Sequence, residues 1–243
     1  MAVSRMELHG KTALVTGASK GIGRAIANAL AHEGVHLGLV ARTRADLETL
    51  AAELAPHGVR TSIATADLAD RAATEAAVAA ITGALGPVDI LINNAGTAER
   101  GTVLDMDPEA WERTFRVNLF GTYYVTRAVL PGMIERRRGD VVNVASTAGL
   151  NGAATMSAYA GSKAAMLRLT ESLAAEVRKH DVRVTALLPS TVNTELSASM
   201  GLPIGAEDRM MQPEDVAELV LATLKLPPRV FVRDVAILTT NPQ

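Results

Sequence analysis

KTALVTGASKGIGRAIANALAHEG, residues 11–34, reads as a strand, a glycine-rich turn and a helix in immediate succession. KTALVT is a short apolar run bounded by Gly10 and Gly17, the pattern of a strand buried on both faces. TGASKGIG then places glycines at 17, 21 and 23. Glycine there lets the backbone approach a pyrophosphate closely, and the following helix start offers free N–H groups and the positive end of its dipole. The spacing is G-x3-G-x-G, not the commoner G-x-G-x-x-G, and any tight strand-to-helix turn needs glycine anyway. Its position between the first strand and the first helix gives the turn its weight.

Downstream the pattern repeats. VHLGLVA (35–41), RTSIATA (60–66), VDILIN (88–93), DVVNVAS (140–146), VRVTALLP (182–189) and RVFVRDVAIL (229–238) read as strands, with helical segments between them. Such βαβ alternation predicts a Rossmann-type doubly wound parallel seven-stranded sheet, α/β in class, with helices on both faces. In open sheets of this kind the carboxyl ends of the strands line the ligand crevice. Arg42, Asp67, Leu68, NNAG (93–96) and Ser146 all follow strands there. The longest helical pattern runs from Pro108 to about Arg137, contains Asn118, and spaces Trp111, Phe115, Leu119 and Tyr123 four apart; such a stripe marks a core or subunit contact. PSTVNTEL (189–196) reads as a loop, and MQPEDVAELVLATL (211–224) as a last helix with Pro213 in its first turn.

YAGSK, 159–163, opens another helix and sets Tyr159 and Lys163 at i and i+4, on one face. A tyrosine is a poor acid at neutral pH, and a neighbouring cation favours its phenolate, so the pairing predicts a lowered Tyr159 pKa. HEGVH, 32–36, matches the zinc-protease string H-E-x-x-H. That chemistry needs both histidines on one helix, whereas Gly34 sits at a helix stop and the next strand follows, so no metal site is expected.

With 243 residues, 48% hydrophobic and 21% charged, the chain suits one soluble domain over residues 1–243. A net charge of −2 offers neither nucleic acid nor an anionic membrane the clustered basic surface it requires. There is no cysteine, hence no disulfide and no thiol nucleophile. Residues 141–162 carry no charge but are too polar to span a bilayer. The N-terminal stretch lacks the apolar core of a secretory signal, and a cytoplasmic location is the expectation.

TGASKGIG, NNAG, Asn118, Ser146 and YAGSK, in that order and each at the matching strand or helix end, resemble the short-chain dehydrogenase/reductase family in its compact single-domain branch. The likeness covers about residues 7–240, and closer in it is similar to the bacterial 3-oxoacyl-[acyl-carrier-protein] reductases and related carbonyl reductases. The resemblance implies an NADPH-dependent enzyme that reduces a ketone or 3-oxoacyl thioester to the secondary alcohol. Tyr159 would be the general acid/base, Ser146 would hydrogen-bond the substrate oxygen, and Lys163 would tune the tyrosine and hold the nicotinamide ribose. Asn118 would hold a water linking Lys163 to solvent. Gly17, Ser19, Lys20, Gly21, Ile22 and Gly23 would hold the pyrophosphate and adenosine side of NADP(H). Asp67, Leu68, Asn93, Ala95 and Gly96 would line the adenosine pocket, and Pro189, Val192 and Thr194 the nicotinamide end.

Arg42 stands where family NADP enzymes carry an arginine for the ribose phosphate, with Ala41 where NAD-preferring relatives carry an aspartate. With Lys20 reaching from the other side, two charge-assisted contacts predict an NADPH preference of at least about 100-fold. A homotetramer acting on a small carbonyl substrate or acyl thioester is implied as well. Ser190 departs from the family's usual glycine after the sixth strand, and the short segment 195–212 leaves no room for a large lid. The alternatives are a non-catalytic NADP-binding sensor or scaffold, a secondary-alcohol dehydrogenase working in the oxidative direction, and an epimerase or dehydratase on a related core. The first would be expected to have lost Tyr159 or Lys163; the last uses a longer substrate domain and a different glycine turn.

Overall fold

The computed structural model describes residues 6–202, 204–205 and 208–240. Seven strands, β1 (Thr12–Thr16), β2 (His36–Ala41), β3 (Thr61–Thr65), β4 (Ile90–Asn93), β5 (Gly139–Val144), β6 (Val182–Pro189) and β7 (Asp234–Ile237), form one sheet in the order β3-β2-β1-β4-β5-β6-β7. Every pairing is parallel, as the alternation in the sequence requires. The direction of winding reverses at β1, which pairs with both β2 and β4 and so creates a crevice beyond its carboxyl end.

Because side chains alternate along a strand, each strand feeds two cores. Ala13 and Val15 pack on one face with α1 (Gly21–His32), α2 (Arg44–Leu54) and α8 (Pro213–Leu224). Leu14, Leu91 and Val184 pack on the other with α3 (Arg71–Leu85), α5 (Thr122–Arg136) and α6 (Ser157–Val177). Gly38 lies in β2 because a Cβ there would meet the Ile81 methyl at 2.2 Å. At the opposite end of the sheet from the crevice, Gly34 at φ +74° turns α1 into β2. That turn puts His32 and His36 of the HEGVH string on different elements.

Three expectations need correction. The helical pattern after Pro108 is interrupted: α4 (Pro108–Phe115) passes through a π-helical turn, Arg116–Gly121, before α5. Residues 195–199, read as loop, form the short helix α7 (Glu195–Ser199). The seventh strand is four residues, not ten, because Arg183 and Thr185 take the Val230 and Val232 carbonyls as hydrogen-bond acceptors and hold that stretch off the ladder. No helix among the described residues is long and apolar enough to cross a membrane.

Candidate active site

The glycine turn is stitched to the NNAG turn through Thr16, the last residue of β1. Its hydroxyl oxygen accepts hydrogen bonds from the Asn94 and Ala95 N–H groups, each at 3.1 Å, while the Asn94 side-chain amide donates to the Thr16 and Gly17 carbonyls. Gly17 and Gly21 have φ of +62° and +50°, a left-handed conformation that side chains resist. Gly23 has a different task. A Cβ there would lie 2.2 Å from the Gly17 oxygen and 2.4 Å from the Asn94 amide, so its absence lets α1 start against the turn.

One cavity of about 920 Å³ runs along the carboxyl ends of the strands. Ser19, Lys20, Gly21, Ile22 and Arg42 line one end. Asp67, Leu68, Ala95 and Gly96 line it further along, as do Ser146, Tyr159 and Lys163 with Pro189, Val192 and Thr194. Most of the sequence-derived site is thus brought together. Three residues are not on its wall. Asn93 is buried in β4, its amide donating to Thr126 and to Asn143; the neighbouring Asn94 is the one that faces the crevice. Gly23 lies behind the turn. Asn118 sits in the π-helical turn, fully buried, exchanging hydrogen bonds with both the N–H and the carbonyl of Thr97 and donating to Ser162 Oγ.

Lys20 does not stand free at the phosphate end. Its ammonium pairs with Glu195 of α7 at 3.1 Å, and that hydrogen bond raises its pKa. Burial pushes the Asp67 carboxyl upward, but the hydrogen bond and charge of Arg113, the Ala69 N–H and the charge of Arg42 together hold it below its usual value. Arg113 and Asp67 lie 2.7 Å apart. Arg113, in α4, was not identified from the sequence, since nothing in a helix pattern says which polar residue turns toward a distant strand end.

At the catalytic end the electrostatics reverse one expectation. Burial raises the Tyr159 hydroxyl above its ordinary pKa, and hydrogen bonding with Ser146 draws it only part of the way back. Lys163 does not lower it. The ammonium lies 5.8 Å from the centre of the tyrosine ring, donates to the Val144 carbonyl at 2.8 Å, and is itself brought down to about 8 by burial. Ser146 accepts from the Ala148 N–H at 3.1 Å and points its own proton at the Pro189 carbonyl over a long 3.4 Å. Such a weak bond is readily exchanged for a better acceptor in the cavity. Among the described residues no three His, Asp or Glu side chains are grouped to hold a metal ion.

A doubly wound parallel sheet with a glycine turn at its switch point, and a Ser–Tyr–Lys group in the same cavity, defines a Rossmann-type protein. The chain belongs to the short chain dehydrogenase family, whose model matches residues 11–203. It is similar to a short chain dehydrogenase of Pseudocercospora fijiensis, 41% identical over 194 residues, covering 79% of this chain and 63% of that relative, so the chain spans less than two thirds of the fungal protein. An uncharacterised oxidoreductase of Staphylococcus saprophyticus is 36% identical, with 96% of this chain and 98% of the relative covered. Among solved structures, actinorhodin polyketide ketoreductase with NADPH superposes with a TM-score of 0.86 at 33% identity, over 94% of this chain and 96% of the other.

Proposed function

We propose that this protein is an NADPH-dependent reductase of a ketone or 3-oxoacyl thioester, a single-domain cytoplasmic homotetramer in which Tyr159 protonates the nascent alkoxide. The observation that carries the reading is the single cavity joining Arg42 and the glycine turn to Ser146, Tyr159 and Lys163. Gly17 and Gly21 line its phosphate end without side chains, and Arg42 supplies a permanent, planar cation, a set that fits a dinucleotide with a ribose phosphate. When bound, NADPH supplies the hydride.

The chain's own residues do the rest. Ser146 can give its loosely held proton to the carbonyl oxygen as a hydrogen bond, which favours charge developing there. Tyr159, with its pKa raised by burial, is fully protonated at neutral pH and hands over its proton as the alkoxide forms. Lys163 is the buried cation beside them. Anchored on the Val144 carbonyl in the same cavity, it would hold the nicotinamide ribose, and Asn118 steadies the Thr97 backbone and the Ser162 hydroxyl, which in turn donates to the Tyr159 carbonyl.

The test is NADPH oxidation over acetoacetyl thioesters, β-keto esters, diketones and aryl ketones with wild type and Tyr159→Phe. Wild type should turn over at least one class. The variant should bind NADPH normally, by fluorescence titration, and lose about 100-fold or more in kcat. A variant that keeps most of the wild-type rate moves the acid elsewhere.

A further inference from the structure

Beyond Tyr159 the cavity wall is apolar, with Ala98, Met156, Leu196, Met200 and Leu202 packed around the tyrosine. One charged side chain lines this end, Arg100. Its guanidinium is held by neutral acceptors: the Met200 carbonyl at 2.9 Å, and Thr155 Oγ1 at 3.3 and 3.2 Å. Among the described residues no carboxylate lies within ion-pair distance of it. Lys20 and Arg113, in the same cavity, are both paired with acids. An arginine has five N–H groups in a rigid fork, so positioning consumes three and leaves two, with no acid among the described residues paired to its charge.

The positioning is itself costly. Thr155 stands at φ +65°, a conformation that a β-branched residue adopts only under constraint and that concentrates at functional sites. The constraint is visible: the Thr155 carbonyl accepts from the Gly101 N–H at 3.0 Å while its hydroxyl accepts from Arg100. Two loops and the end of α7 therefore converge on one guanidinium at the mouth of an apolar pocket.

We propose that Arg100 reads an anionic group on the substrate, so that the carbonyl compound reduced here carries a carboxylate or phosphate beyond an apolar stretch. This inference rests on the reductase reading above. An arginine fork pre-set by backbone and hydroxyl acceptors loses little freedom on meeting a carboxylate or phosphate, and such bonds are the stronger, charge-assisted kind.

The experiment compares matched pairs under NADPH: 7-oxooctanoate with ethyl 7-oxooctanoate for a carboxylate, and acetoacetyl-phosphopantetheine with acetoacetyl-pantetheine for a phosphate. In wild type the anionic member of one pair is expected to have the higher kcat/KM by about tenfold, the size of one charge-assisted bond, and 0.5 M KCl to shrink the advantage. Which pair shows it identifies the group. Arg100→Gln should bring the ratio close to one, mainly through KM, whereas Arg100→Lys, which keeps charge without the fork, should retain part of it. Turnover of the neutral members with no anionic preference in either pair overturns the inference alone. So does an equal loss for both members of each pair in both variants, which makes Arg100 a loop clasp. Absence of turnover with all four compounds overturns this inference, and absence of turnover with the diketones and aryl ketones as well overturns the reductase reading with it.

Discussion

Lys163 carries a charge in a place where charge is costly, and that cost has a measurable sign. Its folded-state pKa is about 8 against 10.5 for the free side chain, and burial is the cause. Between those values the unfolded chain holds more protons than the folded one, so stability rises with pH across the window and the full cost is present below pH 8. Urea unfolding of wild type and Lys163→Met at pH 7 and pH 10 should show the wild type gaining on the variant by roughly 2 to 3 kcal/mol. A difference that does not move with pH would return the ammonium to its ordinary range. The phosphate end yields a second test. With Lys20 engaged by Glu195, Arg42 is left as the main reader of the ribose phosphate, so the expected NADPH preference falls from the two-contact value to about tenfold or somewhat more. Ala41→Asp with Arg42→Ala should remove the preference in kcat/KM, because the aspartate repels the phosphate and its partner is gone. A double variant that still prefers NADPH would assign the reading to other residues.

The glycine turn works only because α1 can begin against it, and Gly23 is where that contact is tightest. Gly23→Ala would press a methyl into the Gly17 carbonyl and the Asn94 amide, both fixed by the bonds that join the two turns. Overpacking of this kind costs roughly 1 to 3 kcal/mol, and thermal unfolding should show a clear drop in Tm with weaker NADPH binding; an unchanged Tm would mean that the turn yields more easily than its bonds suggest. Gly10, where nothing lies within 4 Å but φ is +76°, is the control for backbone strain alone. Elements such as β1 and α1 were legible because period and glycine placement are local. Asn93 and Asn94 were not distinguishable, since both follow an apolar strand and only the pleat decides which side chain meets the crevice and which pairs with Asn143. The π-helical turn was equally hidden. It adds a residue to the helical register without any compositional mark, and Leu119 and Tyr123 of the stripe still meet α6 beyond it, beside Ala165 and Leu169. Phe115 lies against Gly161 of α6 and stacks on Trp111 at 4.5 Å, while Phe120, outside the stripe, turns outward.

The apolar side chains left exposed decide what the molecule shows to its neighbours. Phe120 is 45% and Tyr123 48% exposed, and with Leu119, Tyr124, Ala165 and Leu169 they form a shallow, almost wholly apolar groove between α5 and α6. A second exposed apolar set, Val230, Phe231 and Leu238, flanks β7 at the edge of the sheet. Large apolar side chains gathered on a surface mark contact sites. One self-complementary patch makes a dimer, and two distinct ones close a tetramer with dihedral symmetry, the assembly that these two sets would serve. The test separates them. Light scattering of wild type should give about four times the 25.5 kDa chain mass. Phe120→Glu with Tyr123→Glu should halve it, since a charge on each copy of an isologous contact meets its own image and both must be desolvated. Phe231→Glu alone should also give dimers, held by the remaining patch, and the three substitutions together should give monomers. A wild-type monomer at working concentration removes the tetramer, and variants that keep the full mass place its interfaces on other surfaces.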